Sequence, residues 1–448
     1  MRRGLVLICL LPLALAGQPS RVMQEYNSAW RLVGQGKPDQ ALPILKGILT
    51  EDPGFYRAYQ EVIEAFRQKG DVGGAERFFE ELQSGFGRPE PHFVRGEILS
   101  NYGSGQTRKG WAAFQRCVSQ LSRWPGCYVE VTWQMPGSDL KVMLTVLKNV
   151  VAVDPTNAAA GFGLGDVDLN LKRNSEGVEA CEHVLRQGTG ETLLDMLLLE
   201  NLAWAVTVSS TDWARGRAYE ERALHSAIQL GDEQKELQYL RDLTVLSFRL
   251  DPDTAQPYFD RMLSRARQLD NPYALGQAYD MWGTLNREQG NADVAVEAYK
   301  RALELWETLG HRPEIGDVLR KLADSEARRG DYQPALEHLE RAEKYATEAN
   351  SSGDEAFVLR SRGEIYVQLG DYVGAIGLHQ RARQIFLDLD NFPTAGGEAG
   401  DLGIAYERLG DYEKAKQWYM ESLHSARRFP NVAEQERILN LLAQLAFR

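Results

Sequence analysis

Cysteine is scarce, with four residues in 448, and so few thiols cannot hold a chain this long in shape, which excludes a disulfide-framework fold. The seven histidines, at 92, 183, 225, 311, 338, 379 and 424, form no HExxH or HxxxH pair, so nothing marks a helical zinc site. No GxSxG elbow, Walker lysine or CxxC pair occurs either. Positive charge is in deficit: 51 Lys and Arg stand against 63 Asp and Glu, a net charge of −12, and such a surface repels nucleic acid. With 43% hydrophobic and 25% charged residues, the chain is neither disordered nor a polytopic membrane protein.

Residues 1–16 read as an export signal. Arg2 and Arg3 form the basic region, Leu5 to Leu13 the apolar core, and Ala14-Leu15-Ala16 a small-residue cleavage site. The apolar stretch falls short of the roughly 20 residues a spanning helix needs, and Cys9 lies inside it rather than after the small residues, which argues against a lipid anchor. The expectation is an exported protein, periplasmic or secreted, starting near Gly17, with no integral membrane segment once the leader is removed. Cys117 and Cys127 form a disulfide if a loop brings them within about 7 Å; otherwise they are small buried hydrophobes, as is Cys181.

What the sequence does have is self-similarity. Gly290-Asn291-Ala292, Gly330-Asp331-Tyr332, Gly370-Asp371-Tyr372 and Gly410-Asp411-Tyr412 recur every 40 residues. Five residues past each glycine stands an alanine: Ala295, Ala335, Ala375 and Ala415. Four further on is a large or ring-bearing residue: Tyr299, Leu339, His379 and Tyr419. Seven before each glycine is a small residue: Gly283, Ala323, Gly363 and Gly403. The turn glycine takes positive φ and ends one helix, and the following Asp or Asn caps the next. The small residues let the two helices approach, and the large column fills space against the next hairpin. One such hairpin cannot bury both faces, so hairpins must stack.

These columns resemble the tetratricopeptide repeat. The phase continues upstream through Ala41 and Ala75, with turns at Asp52-Pro53 and Gly70-Asp71, and through Gly165, Gly177 and Cys181. Ala255 and Phe259 keep the 40-residue register, and Trp213 with Tyr219 keep it one unit earlier, where Arg215 replaces the alanine. The resemblance implies an all-α fold, a right-handed superhelical solenoid of about eleven hairpins plus a terminal helix. The expected divisions are a signal peptide (1–16), N-terminal hairpins (17–83), irregular hairpins (84–140), degenerate hairpins (141–270), and a regular array with a terminal helix (271–448). In the irregular part, Val129-Glu130-Val131-Thr132 alternates like a strand. Exported 40-residue arrays also resemble the repeat half of CHAT-type peptidase proteins, which makes a regulatory half of a peptidase system the alternative to a scaffold.

No residue set suggests an active site or a cofactor, so the expectation is a non-catalytic interaction scaffold. Gly161-Phe162-Gly163-Leu164-Gly165 has no strand before it, and Gly165 fits the small column. His379 belongs to the packing column, and His338, between Glu337 and Glu340, to a solvated face. In the family the first helices line the concave surface. The implied groove contacts are Arg287, Glu288, Arg320, Lys321, Asp324, Arg328, Arg360, Glu364, Glu407 and Arg408. They read as a locally basic strip with acidic rungs, suited to a protein or peptide partner carrying carboxylates. The family's chaperone-binding asparagines are not reproduced, because Asn286 falls on a packing position and Asn440 stands alone.

Overall fold

The computed structural model describes residues 19–52, 54–83, 137–190, 192–429 and 431–446. The leader, Cys117, Cys127, the strand-like run at 129–132 and most of the irregular hairpins lie outside them. Among the described residues the regular elements are twenty α-helices and one 3-10 turn, with no strand. None of these helices is long and apolar enough to cross a membrane. The all-α helical-repeat architecture expected from the columns is the one observed.

Two compact units divide at Asn271/Pro272. The first contains α1 (Arg21–Gly34), α2 (Pro38–Glu51), α3 (Tyr56–Lys69), α4 (Val72–Gln83), α5 (Gly137–Val153), α6 (Ala158–Asn170), α7 (Asn174–Gln187), α8 (Thr192–Ser210), α9 (Trp213–Leu230), α10 (Glu233–Leu250) and α11 (Gln256–Gln268). The second contains α12 (Pro272–Glu288), α13 (Ala292–Leu309), α14 (Arg312–Arg329), α15 (Tyr332–Glu348), α16 (Ser352–Leu369), α17 (Tyr372–Asp388), α18 (Phe392–Leu409), α19 (Tyr412–Arg428) and the unpaired α20 (Val432–Leu445).

The turn glycines behave as the sequence predicts, whereas the caps do so at Asp371 and Asp411 but not at Asn291 and Asp331, whose side chains make no capping bond. Gly370 closes α16 at φ 84°, a conformation that costs any other residue a Cβ clash. The Asp371 N–H then bonds the Tyr366 carbonyl, and the Asp371 carboxylate accepts from the Gly374 N–H, capping α17. Each second helix lies against its first at the small columns. A Cβ added to Gly403 would stand 2.4 Å from the Tyr419 ring, and one added to Gly363 would stand 2.7 Å from His379 Nε2. The glycines are therefore the space into which the column side chains fit. In the second unit the first helices of successive hairpins also touch one another, so they line the inner side of that stack.

One register needs correcting. The left-handed turn residue between α8 and α9 is Thr211, at φ 53°, and five residues later comes Gly216, not Arg215. Gly216 is buried against Thr207 and Ala203 while Arg215 is exposed. The Asp212 N–H reaches back to Val206, one residue further than the equivalent bond at Asp371. The last turn of α8 thus holds an extra residue, which the 40-residue period could not register. As a result Glu220, not Tyr219, occupies the packing column, 5% exposed. Tyr219 is only partly buried and donates to Glu182.

The first unit also makes contacts beyond nearest neighbours, which a simple solenoid lacks. Arg57 of α3 forms a buried ion pair with Asp232 at the start of α10. The Tyr26 hydroxyl donates to Gln234 at 2.6 Å, and the Asn27 amide donates to the Gly231 carbonyl at 2.7 Å. The first hairpin is thereby tied to the turn between α9 and α10.

The glycine–ring contact can be tested by recreating the Ala323–Leu339 combination found one repeat pair earlier. Gly403→Ala should lower stability by about 1–2 kcal/mol, because overpacking outweighs the gain in helix propensity. Adding Tyr419→Leu should recover most of that loss in a denaturant titration. A Gly403→Ala chain as stable as the parent would show that the Tyr419 ring has room to move aside.

Candidate functional site

The inner face of the second unit is built by α12, α14, α16, α18 and α20, and the expected groove residues do come together on the first four of these helices. Their charges, however, are largely spent on one another. Arg320 lies between Asp317 (2.7 Å) and Asp324 (3.3 Å). Lys321 bridges Asp317 (2.7 Å) to Asp280 (2.9 Å) on the preceding first helix. Arg360 donates to Glu398, Arg287 is half-buried beside Tyr299, and Glu407 accepts from the Tyr419 hydroxyl at 2.8 Å. Glu288, Arg328, Glu364 and Arg408 are exposed. The strip is therefore a mesh of internal ion pairs and not a free basic surface, because acids one turn away on the same helix or on a neighbouring first helix reach its bases.

At the centre of this face the column residue His379 is fully buried. Its Nδ1 lies 2.9 Å from Glu398, itself fully buried, which also receives Arg360. Burial disfavours the charged ring, but the bond to Glu398 and the negative charges of Asp401 and Glu364 outweigh it and raise the His379 pKa. Asp401 is pushed up as well, by withdrawal from water and by the Glu398 charge. Ligand-type atoms of His379, Glu398 and Asp401 lie within 4.8 Å of one another, close enough in donor type and spacing to hold a small cation. Arg360 on Glu398 and Arg437, 3.7 Å from Asp401, already balance both carboxylates, and His379 Nε2 is turned against Gly363. The arrangement is that of a buried ion-pair network. His379 is thus a packed column residue, as expected, with a carboxylate partner that the column pattern alone does not reveal. His338 departs from the solvated face expected of it: it is partly buried and lies 2.7 Å from the buried Glu326.

A second polar cluster lies in the first unit and was missed in the sequence because of the one-residue slip at α8. Glu200 accepts from Lys235 (2.7 Å), Gln238 (2.8 Å) and Tyr239 (3.0 Å). Beside it the buried Glu220 leaves Oε2 with no hydrogen-bond partner. Burial, then the Asp242 and Glu200 charges, push Glu220 from its ordinary 4.5 to about 9. The folded chain therefore keeps a proton that the unfolded chain releases, and stability falls as pH rises from about 4.5 to about 9. Glu220→Gln, with no proton to lose, should raise stability by about 2 kcal/mol at pH 7, with little change at pH 4. Melting temperatures across this range check it; equal midpoints for the two chains at pH 8 would show that Glu220 finds a partner in solution.

Three tetratricopeptide-repeat family models match the chain, one over residues 275–348 and 314–388, another over 32–87 and a third over 400–427. No curated protein matches it in sequence. Among solved structures, the apo form of RapI is similar over 91% of this chain and 98% of its own, at 12% identity and a TM-score of 0.52. A Rap protein complexed with competence and sporulation factor aligns over 87% and 98% (15% identity, TM-score 0.46). Aspartyl phosphate phosphatase F from Bacillus subtilis aligns over 94% and 97% (12% identity, TM-score 0.45). At these identities the likeness speaks for the fold alone. With the turn glycines, the small columns and the packed rings all in the places that the repeat requires, the chain is a tetratricopeptide repeat protein.

Proposed function

We propose that this protein is a non-catalytic scaffold that holds an extended segment of a partner protein along the inner face of its second unit. The observation that carries this reading is a partly buried ring flanked by two guanidinium groups, beside a helix position that carries no side chain. The Arg320 and Arg360 guanidinium groups lie 5.5 and 5.7 Å from the centre of the Phe357 ring. On the next first helix, a Cβ added to Gly397 would meet only Arg360, at 3.5 Å. A partner's backbone can approach closely where no side chain stands, while an immobilised ring gives contact area at little entropic cost. The exposed Arg328 and Arg408 are the cations that partner carboxylates would meet. The signal-like residues 1–16 support an exported protein, periplasmic or secreted.

The test is native co-purification from the envelope and culture fluid of the source cells, followed by affinity measurements on the partner found. Phe357→Ala, Gly397→Glu and the double variant Arg328→Glu/Arg408→Glu should each weaken binding about tenfold, the scale of a lost interface contact. Charge swaps at Arg320 or Arg360 are poorer probes, because they break internal ion pairs. Affinity unchanged by all three variants would move the binding surface elsewhere. A peptidase as the stoichiometric partner would instead make these repeats its regulatory arm.

A further inference from the structure

In the second unit α12, α14, α16 and α18 are each covered by the second helix of their own hairpin, and the residues that receive it keep one register. Leu319, Leu359 and Ala399 are at most 1% exposed. Four residues on, Gly363 and Gly403 meet the His379 and Tyr419 rings, and Ala323 shares a buried cluster with Leu339. α20 has the same register without the cover. Forty residues after Ala399 and Gly403, Leu439 is 47% exposed and Ala443 is exposed. The helix is otherwise placed as a first helix, with Ile438 fully buried and Arg437 lying 3.7 Å from Asp401 of α18. Two charges border the uncovered face. Glu436 stands in the register of Gly276, Gly316 and Gly396, the points to which Trp306, Tyr345 and Ser425 of the covering helices come closest. In three hairpins, moreover, the residue two past the column pairs back to the preceding second helix: Glu81 with Lys46, Arg341 with Glu307, and Glu421 with Arg383. On α19 the register of Glu307 is held by the exposed Arg427.

We propose that the uncovered face of α20 is a docking site for one amphipathic helix of a partner protein, which lies antiparallel to α20 as the second helices of the array lie on their first helices. A large apolar residue of that helix covers Ala443, in the way that Leu339 goes with Ala323. An acid two residues later meets Arg427, and a base six residues later meets Glu436, the offsets at which Glu421 and Ser425 follow Tyr419. Burial of Leu439 and of the incoming apolar residue supplies the affinity, while the two charges fix direction and select the partner. No second helix of this unit is free to take the place, since each already lies on its own first helix. A second copy's α20 does not fit, because none of its leucines is followed by an acid two residues on. Leu439, Ala443, Glu436 and Arg427 are none of the residues assigned to the inner-face contact, so the two sites are tested apart.

The probe is a labelled peptide with the sequence of α15, Tyr332–Glu348, carrying Arg341→Glu and Tyr345→Lys. A lactam between Glu340 and Lys344, which are exposed in the array, holds it helical, as circular dichroism of the peptide verifies. Fluorescence anisotropy of the full chain with this peptide should show saturable one-to-one binding in the micromolar range, and the lactam peptide without the two substitutions should bind about tenfold or more weakly. In the chain, Ala443→Arg and Leu439→Glu change exposed positions, so the fold is kept; each should weaken binding at least about tenfold, the scale of a lost central contact. Arg427→Glu should weaken binding of the substituted peptide and strengthen that of the unsubstituted one. No binding of the substituted peptide overturns the proposal, as does affinity unchanged by Ala443→Arg. An equal response of both peptides to Arg427→Glu overturns the charge rule and with it the stated partner. A dimer of the chain alone in sedimentation, abolished by Ala443→Arg, also overturns it, since the face is then covered by a second copy.

Discussion

The structure depends on one contact, the meeting of a small residue on each first helix with a large residue on each second helix. Gly363 under His379 and Gly403 under Tyr419 leave no room for a Cβ, so helix separation within a hairpin is set by which atoms are missing. Close-packed interiors transmit such constraints rigidly. The same side chain that fills the glycine's space also reaches the next first helix, so one column sets both the hairpin and the stack.

That geometry carries a functional consequence. The end of the column side chain emerges toward the inner face, where Tyr299 reaches Thr284 and Tyr419 reaches Glu407. A repeat that places an ionisable residue in the column therefore puts a titratable group beneath its first helices. His379 is one case, balanced by Glu398. Glu220 is the other, and it has no counterpart. The two polar clusters arise from the same position in the repeat and differ in whether the following first helix gives the column residue a direct hydrogen-bond partner.

The first hairpin shows where the repeat logic stops. A stack of hairpins needs only neighbour contacts, yet Arg57 and Asp232 pair in a nearly dry setting, with exposures of 4% and 0%. Breaking such a pair strands a charge in the interior. The ties from α1 and α3 to the start of α10 thus fix these N-terminal helices in a way that no column predicts.

The architecture was legible in the sequence because turns and packing columns are local. A glycine at positive φ, an Asp or Asn four residues before an alanine, and a small residue opposite a large one each act within one hairpin, and each recurs every 40 residues. The charged groups of the inner face were also readable as positions on first helices. Their state was not. Whether Arg320, Lys321 and Arg360 are free or spent depends on Asp280, Asp317 and Glu398, up to 41 residues away, and distances across helices are set by packing. The shift of Glu220 into the column came from one additional residue in the last turn of α8, invisible to a fixed period. The sequence by itself determined the repeat and its turns, since those are backbone and steric requirements of single hairpins. Only the tertiary structure decided which charges are neutralised and which are left over, because electrostatic balance is a property of neighbouring helices taken together.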